Sequence, residues 1–435
     1  MPNKTNKHNW LACVLTLSLT LLISGCWDRQ EIEDLAMVIG VGIDTPLKEN
    51  DSDSETNADS EEASSPDADA DSESAHQGDE SNATQSTQQK IPILLTHQNV
   101  VPKVLTGTAK VTGTQKQAYF NISGEGTSFF EIIRNFSTKS SRPPFFLHVK
   151  TMVIGENFAR KSGIEKTLEY FLRDTELRRT VLVVVAKGRA LDVLNKKPLN
   201  ETLPAIEILS ILDNVRKNLA IATPTSLGFI SEHMTTKKSF MIPRVEVSTK
   251  TIKIAGASLI KGDTGKMIGW LNEEEVSGAN LLLGSGKSKW EKHAGLIKTV
   301  LPPRNSLLIY EIRTISSKII PKVQNGQVSF SVHIKLNGRI GEDWSPEENG
   351  FDDSYLVKTE KVFEKKIKEL TRKSLNKLQK KWKIDVLEFN KALSVHHPDV
   401  WEKMKDNWDE EFSKIPIDVH VKVNVREFGL KGSKR

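Results

Sequence analysis

Residues 21–44 read LLISGCWDRQEIEDLAMVIGVGID. Met37 to Ile43 is an apolar run of strand length. Gly40 and Gly42 thin it, so that another part of the chain can approach the backbone closely. Just before it, Gln30 to Ala36 places Ile32, Leu35 and Ala36 at helical spacing. Earlier still, Ser24 and Gly25 precede a single cysteine, Cys26. The stretch therefore passes from the end of an export signal to the first turn and first strand of a folded domain.

Working towards the N-terminus, Lys4, Lys7 and His8 form a positive region with no acid. Trp10 to Ile23 is apolar apart from Thr and Ser, the length of a signal core and short for a membrane span. Small residues ahead of a cysteine form the bacterial lipobox pattern, which makes Cys26 the expected site of lipid attachment. A diacylglyceryl group there supplies two acyl chains at roughly 0.8 kcal/mol per buried CH₂, enough for stable anchoring where one chain is marginal. The chain has two cysteines, Cys13 and Cys26. One leaves with the signal and the other is acylated, so the mature protein is expected to hold no disulfide, thiolate metal site or cysteine nucleophile.

Working towards the C-terminus, the composition changes abruptly. The 435-residue chain has a net charge of +5, yet residues 49–89 hold thirteen Asp and Glu and no Lys or Arg. The remainder is thus strongly basic, which bears on contact with a membrane surface. Residues 46–90 offer almost nothing to bury and read as a disordered acidic loop. The expected divisions are a lipoprotein signal peptide (1–25), an N-terminal α/β domain (26–195) carrying that insert, a middle domain (196–300) and a C-terminal α+β domain (301–430).

Within those divisions Ile91 to Leu95, Lys110 to Phe120, Phe145 to Ile154 and Thr180 to Ala186 read as strands. Gly163 to Leu172 reads as an amphipathic helix. Gly124 and Gly126 suggest a tight turn, followed by a helix that Ser128 and Glu131 would close with a capping box. Residues 188–240 are mainly helical by pattern. Met241 to Ile260 reads as one long strand. Asn272, with Glu273, Glu274 and Glu275 behind it, starts another helix. Further on, Leu307 to Ile320 and Val328 to Leu336 are strands, 355–383 is a long helix, and Asp385 with Glu388 caps a shorter one. Pro398 opens a helix with Trp401, Met404, Trp408 and Phe412 on one face. Ile417 to Val425 alternates as a final strand.

Few motifs point to chemistry. Gly284-Ser285-Gly286-Lys287-Ser288 misses P-loop spacing at Leu281 and reads as a loop. Asp263-Thr264-Gly265 has no second copy to complete an aspartic-protease pair and reads as a hairpin turn. His396-His397 lacks the i, i+4 spacing of helical metal ligands. No GxSxG or HExxH occurs. The chain therefore offers no catalytic, cofactor-binding or metal-binding residues. Lys358 to Lys383 carries eleven Lys and Arg against Glu360, Glu364 and Glu369. It is a solvated helix face, or a surface for anionic lipid headgroups at roughly 1 kcal/mol per cation. Nucleic acid is not an expected partner.

Taken together the residues resemble the Ger(x)C spore-germination lipoproteins, the C subunits of nutrient germinant receptors. The resemblance begins at Cys26-Trp27-Asp28-Arg29, Glu31-Ile32, Leu35-Ala36 and Gly40-Val41-Gly42-Ile43-Asp44. It continues through Gly124-Glu125-Gly126 with Phe130-Glu131, His148-Val149-Lys150, Val153-Ile154-Gly155-Glu156 and Leu172-Arg173-Asp174. It returns in Gly269-Trp270-Leu271-Asn272-Glu273-Glu274-Glu275 and closes with Trp401 to Trp408 and the last strand. The acidic insert is the departure. The resemblance implies an α+β protein of three domains, each a β-sheet with helices packed around it. It also implies a non-enzymatic subunit, lipid-anchored on the outer face of the spore inner membrane, that assembles with integral-membrane A and B subunits. The rival readings are a solute-binding lipoprotein of a transporter, which needs two similar lobes around a cleft, and an exported hydrolase, which needs a convergent acid, base or nucleophile set.

Overall fold

The structure is a computed structural model. It describes residues 35–47, 91–105, 117–173, 176–249, 251–286, 293–345 and 352–427. Cys26, the signal region, the Gln30 to Ala36 helix up to residue 34, and the acidic insert from 48 to 90 lie outside the described residues.

The apolar run of the opening stretch is β1 (Ala36–Asp44). It pairs antiparallel with β2 (Ile93–Val100), which pairs with β3 (Tyr119–Gly126). Then follow α1 (Phe129–Asn135), the two-residue β4 (Pro144–Phe145), β5 (Thr151–Gly155), α2 (Glu156–Lys161), α3 (Glu165–Arg173) and β6 (Leu182–Ala186). Next come α4 (Ala190–Asn195), α5 (Pro204–Leu212), β7 (Thr225–Ser226), α6 (Leu227–Thr235), β8 (Phe240–Val247), β9 (Ile252–Ile260), β10 (Met267–Leu271) and α7 (Glu273–Leu283). All ten strands form one sheet in the order β10-β9-β8-β6-β5-β1-β2-β3, with β4 on β1 and β7 on β6. The pairs β1–β5, β5–β6 and β6–β8 are parallel. Such central strands are buried on both faces, which is why β6 reads as an unbroken Leu-Val-Val-Val-Ala run. Val183 and Val185 face a core with Phe129, Phe158, Phe171 and Ile230, while Leu182, Val184 and Ala186 face one with Val193, Leu194, Ile208 and Leu212.

The glycines of β1 now have a cause. A Cβ on Gly40 would lie 2.7 Å from the Ala205 Cβ, and one on Gly42 would lie 2.9 Å from Leu194 Cδ1. Helices α4 and α5 thus rest directly on the strand. Asp44 ends it, and its carboxylate accepts from the Ala190 and Leu191 amides at 2.8 and 2.9 Å, satisfying the first turn of α4. Burial pushes the Asp44 carboxyl above its usual range, and these two amides oppose that.

Several local expectations are corrected. Gly124 and Gly126 sit inside β3 rather than in a turn, because Ile132 of α1 packs over them; a Cβ there would come within 3.0 and 2.8 Å of its side chain. The Ser128 capping box does not form, as Ser128 makes no side-chain bond to the helix. The strand expected over Lys110 to Phe120 begins at Tyr119; residues 106–116 lie outside the described residues. Phe145 to Ile154 divides into β4 and β5. Met241 to Ile260 is a hairpin of β8 and β9, turning where Ser248 N donates to Thr251 O at 2.8 Å.

The second sheet is built from β11 (Gly295–Leu301), β12 (Ser306–Gln324), β13 (Gln327–Asp343) and, after four helices, β14 (Ile417–Glu427). Its order is β11-β12-β13-β14, with β14 parallel to β13 and the other pairs antiparallel. The helices are α8 (Asp353–Asn376), α9 (Phe389–His396), α10 (Pro398–Met404) and α11 (Trp408–Phe412). Only one face of this sheet meets a core, so β13 alternates: Val328, Phe330, Val332, Ile334 and Leu336 are buried against Phe363, Ile367, Phe389 and Phe412. The fold class is α+β, as expected. The strands of the 240–271 region extend the first sheet.

Candidate functional site

The stretch Gly269 to Glu275 joins the two sheets. Asn272 begins α7 with a complete capping box: its Oδ1 accepts from Glu275 N at 2.9 Å, and Glu275 Oε2 accepts from Asn272 N at 2.8 Å. The acids behind it reach across to α8. Glu274 pairs with Lys373, whose ammonium holds the Glu274 carboxyl below its usual range. Glu275 pairs with Lys377 at 3.0 Å. The two helices meet at small residues. A Cβ on Gly278 would lie 2.1 Å from Ser374 Oγ and 2.3 Å from Leu370 O, and Ser374 Oγ donates to Glu275 O at 2.6 Å. Gly269 is covered by the Trp382 ring, 2.2 Å from where a Cβ would sit. The long helix α8 is thereby fixed between the edge of the first sheet and the face of the second.

With α8 held this way, its charged residues divide by task. Phe363, Ile367 and Leu370 are buried. Glu360 and Glu364 accept from the Val425 and Val423 amides of β14 at 2.9 and 3.2 Å. These acids are occupied by backbone donors of an edge strand, so they do not simply offset the lysines. Among the expected cations of 358–383, Lys366 pairs with Glu369 at 3.8 Å, Lys383 with Glu410 at 3.7 Å, and Lys380 donates to Ser413 O at 2.9 Å. Lys381 lies over the Trp382 ring at 5.1 Å. Among the described residues that leaves Lys358, Lys361, Lys365, Lys368 and Arg372 without an ion pair. Their 3-4-3-4 spacing lines them along one side of the helix over about 21 Å. Beside this stripe runs a groove to β11, lined by Lys298, Val300 and Pro302 against Val362 and Lys365. Leu296 and Val300 of β11 are 59 % and 46 % exposed.

The other sequence candidates are dispersed. Asp263 sits in the β9–β10 turn and pairs with Lys261 at 3.3 Å. His396 Nδ1 meets Ala392 O at 2.9 Å at the end of α9. Gly284 to Gly286 follow α7, and residues 287–292 lie outside the described residues. No group of three His, Cys, Asp or Glu with the arrangement of a metal site occurs among the described residues, and no described helix is long and apolar enough to cross a membrane. Asp385 works as a cap, though not with Glu388: its carboxylate accepts from Leu387 N, Asn390 N and Trp408 Nε1 at 2.9, 2.8 and 2.8 Å. Glu388 instead pairs with Lys391 at 2.9 Å. Sequence reading missed the edge-capping role of Glu360 and Glu364. The only signal was their i, i+4 spacing on the helix, and what they cap lies some sixty residues on.

Comparison with known proteins accounts for the linkage of these parts. Residues 28–247 match the model of a spore germination protein N-terminal domain, and residues 255–429 match that of a spore germination B3/GerAC like, C-terminal domain. Spore germination protein YndF of Bacillus subtilis (strain 168) is 31% identical over 97% of this chain and 98% of its own length. Spore germination proteins A3 and B3 of the same organism are 30% and 27% identical, over 96% and 95% of this chain and 97% and 96% of theirs. The crystal structure of the GerBC protein superposes with a TM-score of 0.55 at 25% identity, covering 78% of this chain and 95% of that one. The chain therefore belongs to the GerAC-like family of spore germination proteins.

Proposed function

We propose that this protein is the lipid-anchored C subunit of a spore nutrient germinant receptor. In this reading Cys26 carries the diacylglyceryl group, and the folded body sits on the outer face of the spore inner membrane beside integral-membrane A and B subunits. Its contribution is binding and assembly, with no reaction of its own. The observation that carries the proposal is the relationship to germination proteins along nearly the whole chain, together with a cysteine in lipobox context two residues before the N-terminal domain match. Tethering confines the body to the membrane plane and raises its effective concentration near membrane partners. The free cation stripe of α8 supports an added contact with anionic headgroups, at roughly 1 kcal/mol per cation near the surface.

The deciding experiment is Cys26→Ala in sporulating cells. The variant is expected to leave the membrane fraction or to stay unprocessed, and nutrient-triggered germination is expected to fall. Unchanged fractionation and processing would refute the anchor. Crosslinking of the wild-type protein in spores is expected to capture integral-membrane receptor subunits. Failure to do so with a membrane-attached protein would refute the assembly role.

A further inference from the structure

The groove beside α8 lies at the free edge of the second sheet and has a volume of about 460 Å³. One wall comes from β11 and the turn after it, through Lys298, Thr299, Val300 and Pro302. The other comes from α8, through Val362, Lys365, Lys366 and Glu369. β11 borders the sheet, so no further described strand covers the first wall. Along that strand Ile297 and Leu301 are buried in the core, while Lys298 and Val300 stay exposed. Val362 is half-buried and packs on the same core.

The lining is hydrocarbon in one part and cationic in another. Val300, Pro302 and Val362 supply the hydrocarbon. Of the charged groups, Lys366 and Glu369 pair with each other at 3.8 Å. Lys298 and Lys365 have no ion pair among the described residues. Lys361, Lys368 and Arg372 continue the cations along α8 beyond the groove. Glu364, on the same helix surface, is engaged by the Val423 amide at 3.2 Å and by Lys422 at 3.8 Å. The groove therefore keeps an excess of positive charge beside its apolar wall.

This combination restricts the occupant. A free anion would meet Lys298 and Lys365 but leave the hydrocarbon wall in water. An uncharged apolar segment would cover that wall but strip water from two cations without compensation. A molecule that joins one anionic group to a hydrocarbon chain satisfies both. Lysine suits such a molecule, because its methylene stem lies along apolar surface while the ammonium stays in a polar layer. Lys365 belongs both to the groove and to the cation stripe of α8, so a bilayer touching the stripe brings its headgroups to the mouth of the groove.

We propose that the groove seats one anionic phospholipid, its phosphate held by Lys298 and Lys365 and an acyl chain lying along Val300, Pro302 and Val362. Such a site rests on the membrane-bound body proposed above, and narrows the diffuse attraction of the stripe to a single lipid molecule.

The test uses the full-length protein in phosphatidylcholine nanodiscs that carry a small fraction of phosphatidylglycerol with a photoreactive group in its acyl chain. Phosphatidylcholine with the same photoreactive chain is the control. On irradiation the phosphatidylglycerol probe is expected to label peptides containing Val300 and Val362 in preference to the control. Lys298 lies outside α8, so Lys298→Gln leaves the stripe intact. Labelling at the groove in that variant should fall about fivefold, the share of one cation, while salt-dependent binding to anionic vesicles is largely kept. Equal labelling by the two probes, or undiminished labelling in Lys298→Gln, would overturn the proposal. Displacement of the label by glycerol phosphate would overturn it in favour of a free anion. Crosslinks in spores from β11 to another polypeptide, with no lipid adduct at the groove, would overturn it in favour of strand addition. If labelling at the groove is absent while vesicle binding remains, the lipid site fails and the stripe stands; if both are absent, the membrane contact itself fails.

Discussion

The two sheets use glycine against different neighbours. In the first sheet Gly40 and Gly42 admit helices onto a strand, so a central strand is covered on both faces. At the second sheet Gly278 admits one helix onto another, and the sheet keeps one face towards solvent. The first arrangement distributes close contact along a sheet of ten strands. The second concentrates it at one helix crossing, on which the position of α8 depends. A clash should therefore be more damaging at the crossing than on the strand.

Gly278→Val is the strongest way to break this comparison. Its new side chain meets Ser374 and the Leu370 backbone, which cannot swing aside, and a loss of about 3 kcal/mol or more is expected in denaturant unfolding. Gly40→Val meets the Ala205 methyl on a helix that has some room to shift, and about 2 kcal/mol is expected. If the order of these two losses is reversed, the crossing is not the more rigid contact.

Acid should divide the two regions by sign. His97 of β2 is wholly buried against Phe136 and Phe146, and its pKa is pushed down to about 3 from 6.5. Below pH 6.5 the unfolded chain takes a proton that the folded chain refuses, so stability is lost as pH falls towards 3. At pH 5 the loss is roughly 2 kcal/mol. Burial pushes the Asp385 carboxyl up to about 6 from 3.8. Between 6 and 3.8 the folded chain keeps a proton that the unfolded chain has released, so stability is gained as pH falls, by roughly 1 kcal/mol at pH 5. Hydrogen exchange, corrected for intrinsic rates, should show β1 and β2 less protected at pH 5 than at pH 7 and α9 more protected. Changes of the same sign in both would break the contrast.

Smaller effects sharpen it. Asn272→Ala removes the cap of α7 between the sheets and should cost about 1 kcal/mol in thermal unfolding. Replacing Lys361, Lys365 and Lys368 together by Gln should change stability by less than about 0.5 kcal/mol, since the three are surface cations without ion pairs among the described residues. The same triple variant should lose most of its salt-dependent binding to anionic vesicles. Unaltered binding would remove the stripe from the proposed function.

Legibility in the sequence followed the range of the interactions. Local signals read well: the thinned strand ending at Asp44, the unbroken apolar run of β6, the alternation of β13 and β14, and the Asn272 cap. Interactions spanning long separations did not. Gly124 and Gly126 look like turn residues until Ile132 is placed over them. The 240–260 segment looks like one strand, because nothing in its apolar pattern marks Ser248 to Thr251 as a reversal. Pairing of β6 with β8 across α4, α5 and α6 leaves no local trace. The charge pattern of α8 suggested a basic face, but only the fold separates its free cations from those held by Glu274, Glu275 and Glu410. The groove at the β11 edge is assembled from segments far apart in the chain and has no motif.

The bonds from Glu360 and Glu364 to β14 bear on how copies of this protein can associate. They occupy outward amides on one border of the second sheet, while the opposite border, β11, pairs with no further strand among the described residues. A border covered at these two positions is lengthened less readily than an open one. Two such sheets joined edge to edge through β11 would leave outward only borders on which the Val423 and Val425 amides are already bonded, which disfavours further strand addition and growth into a fibre.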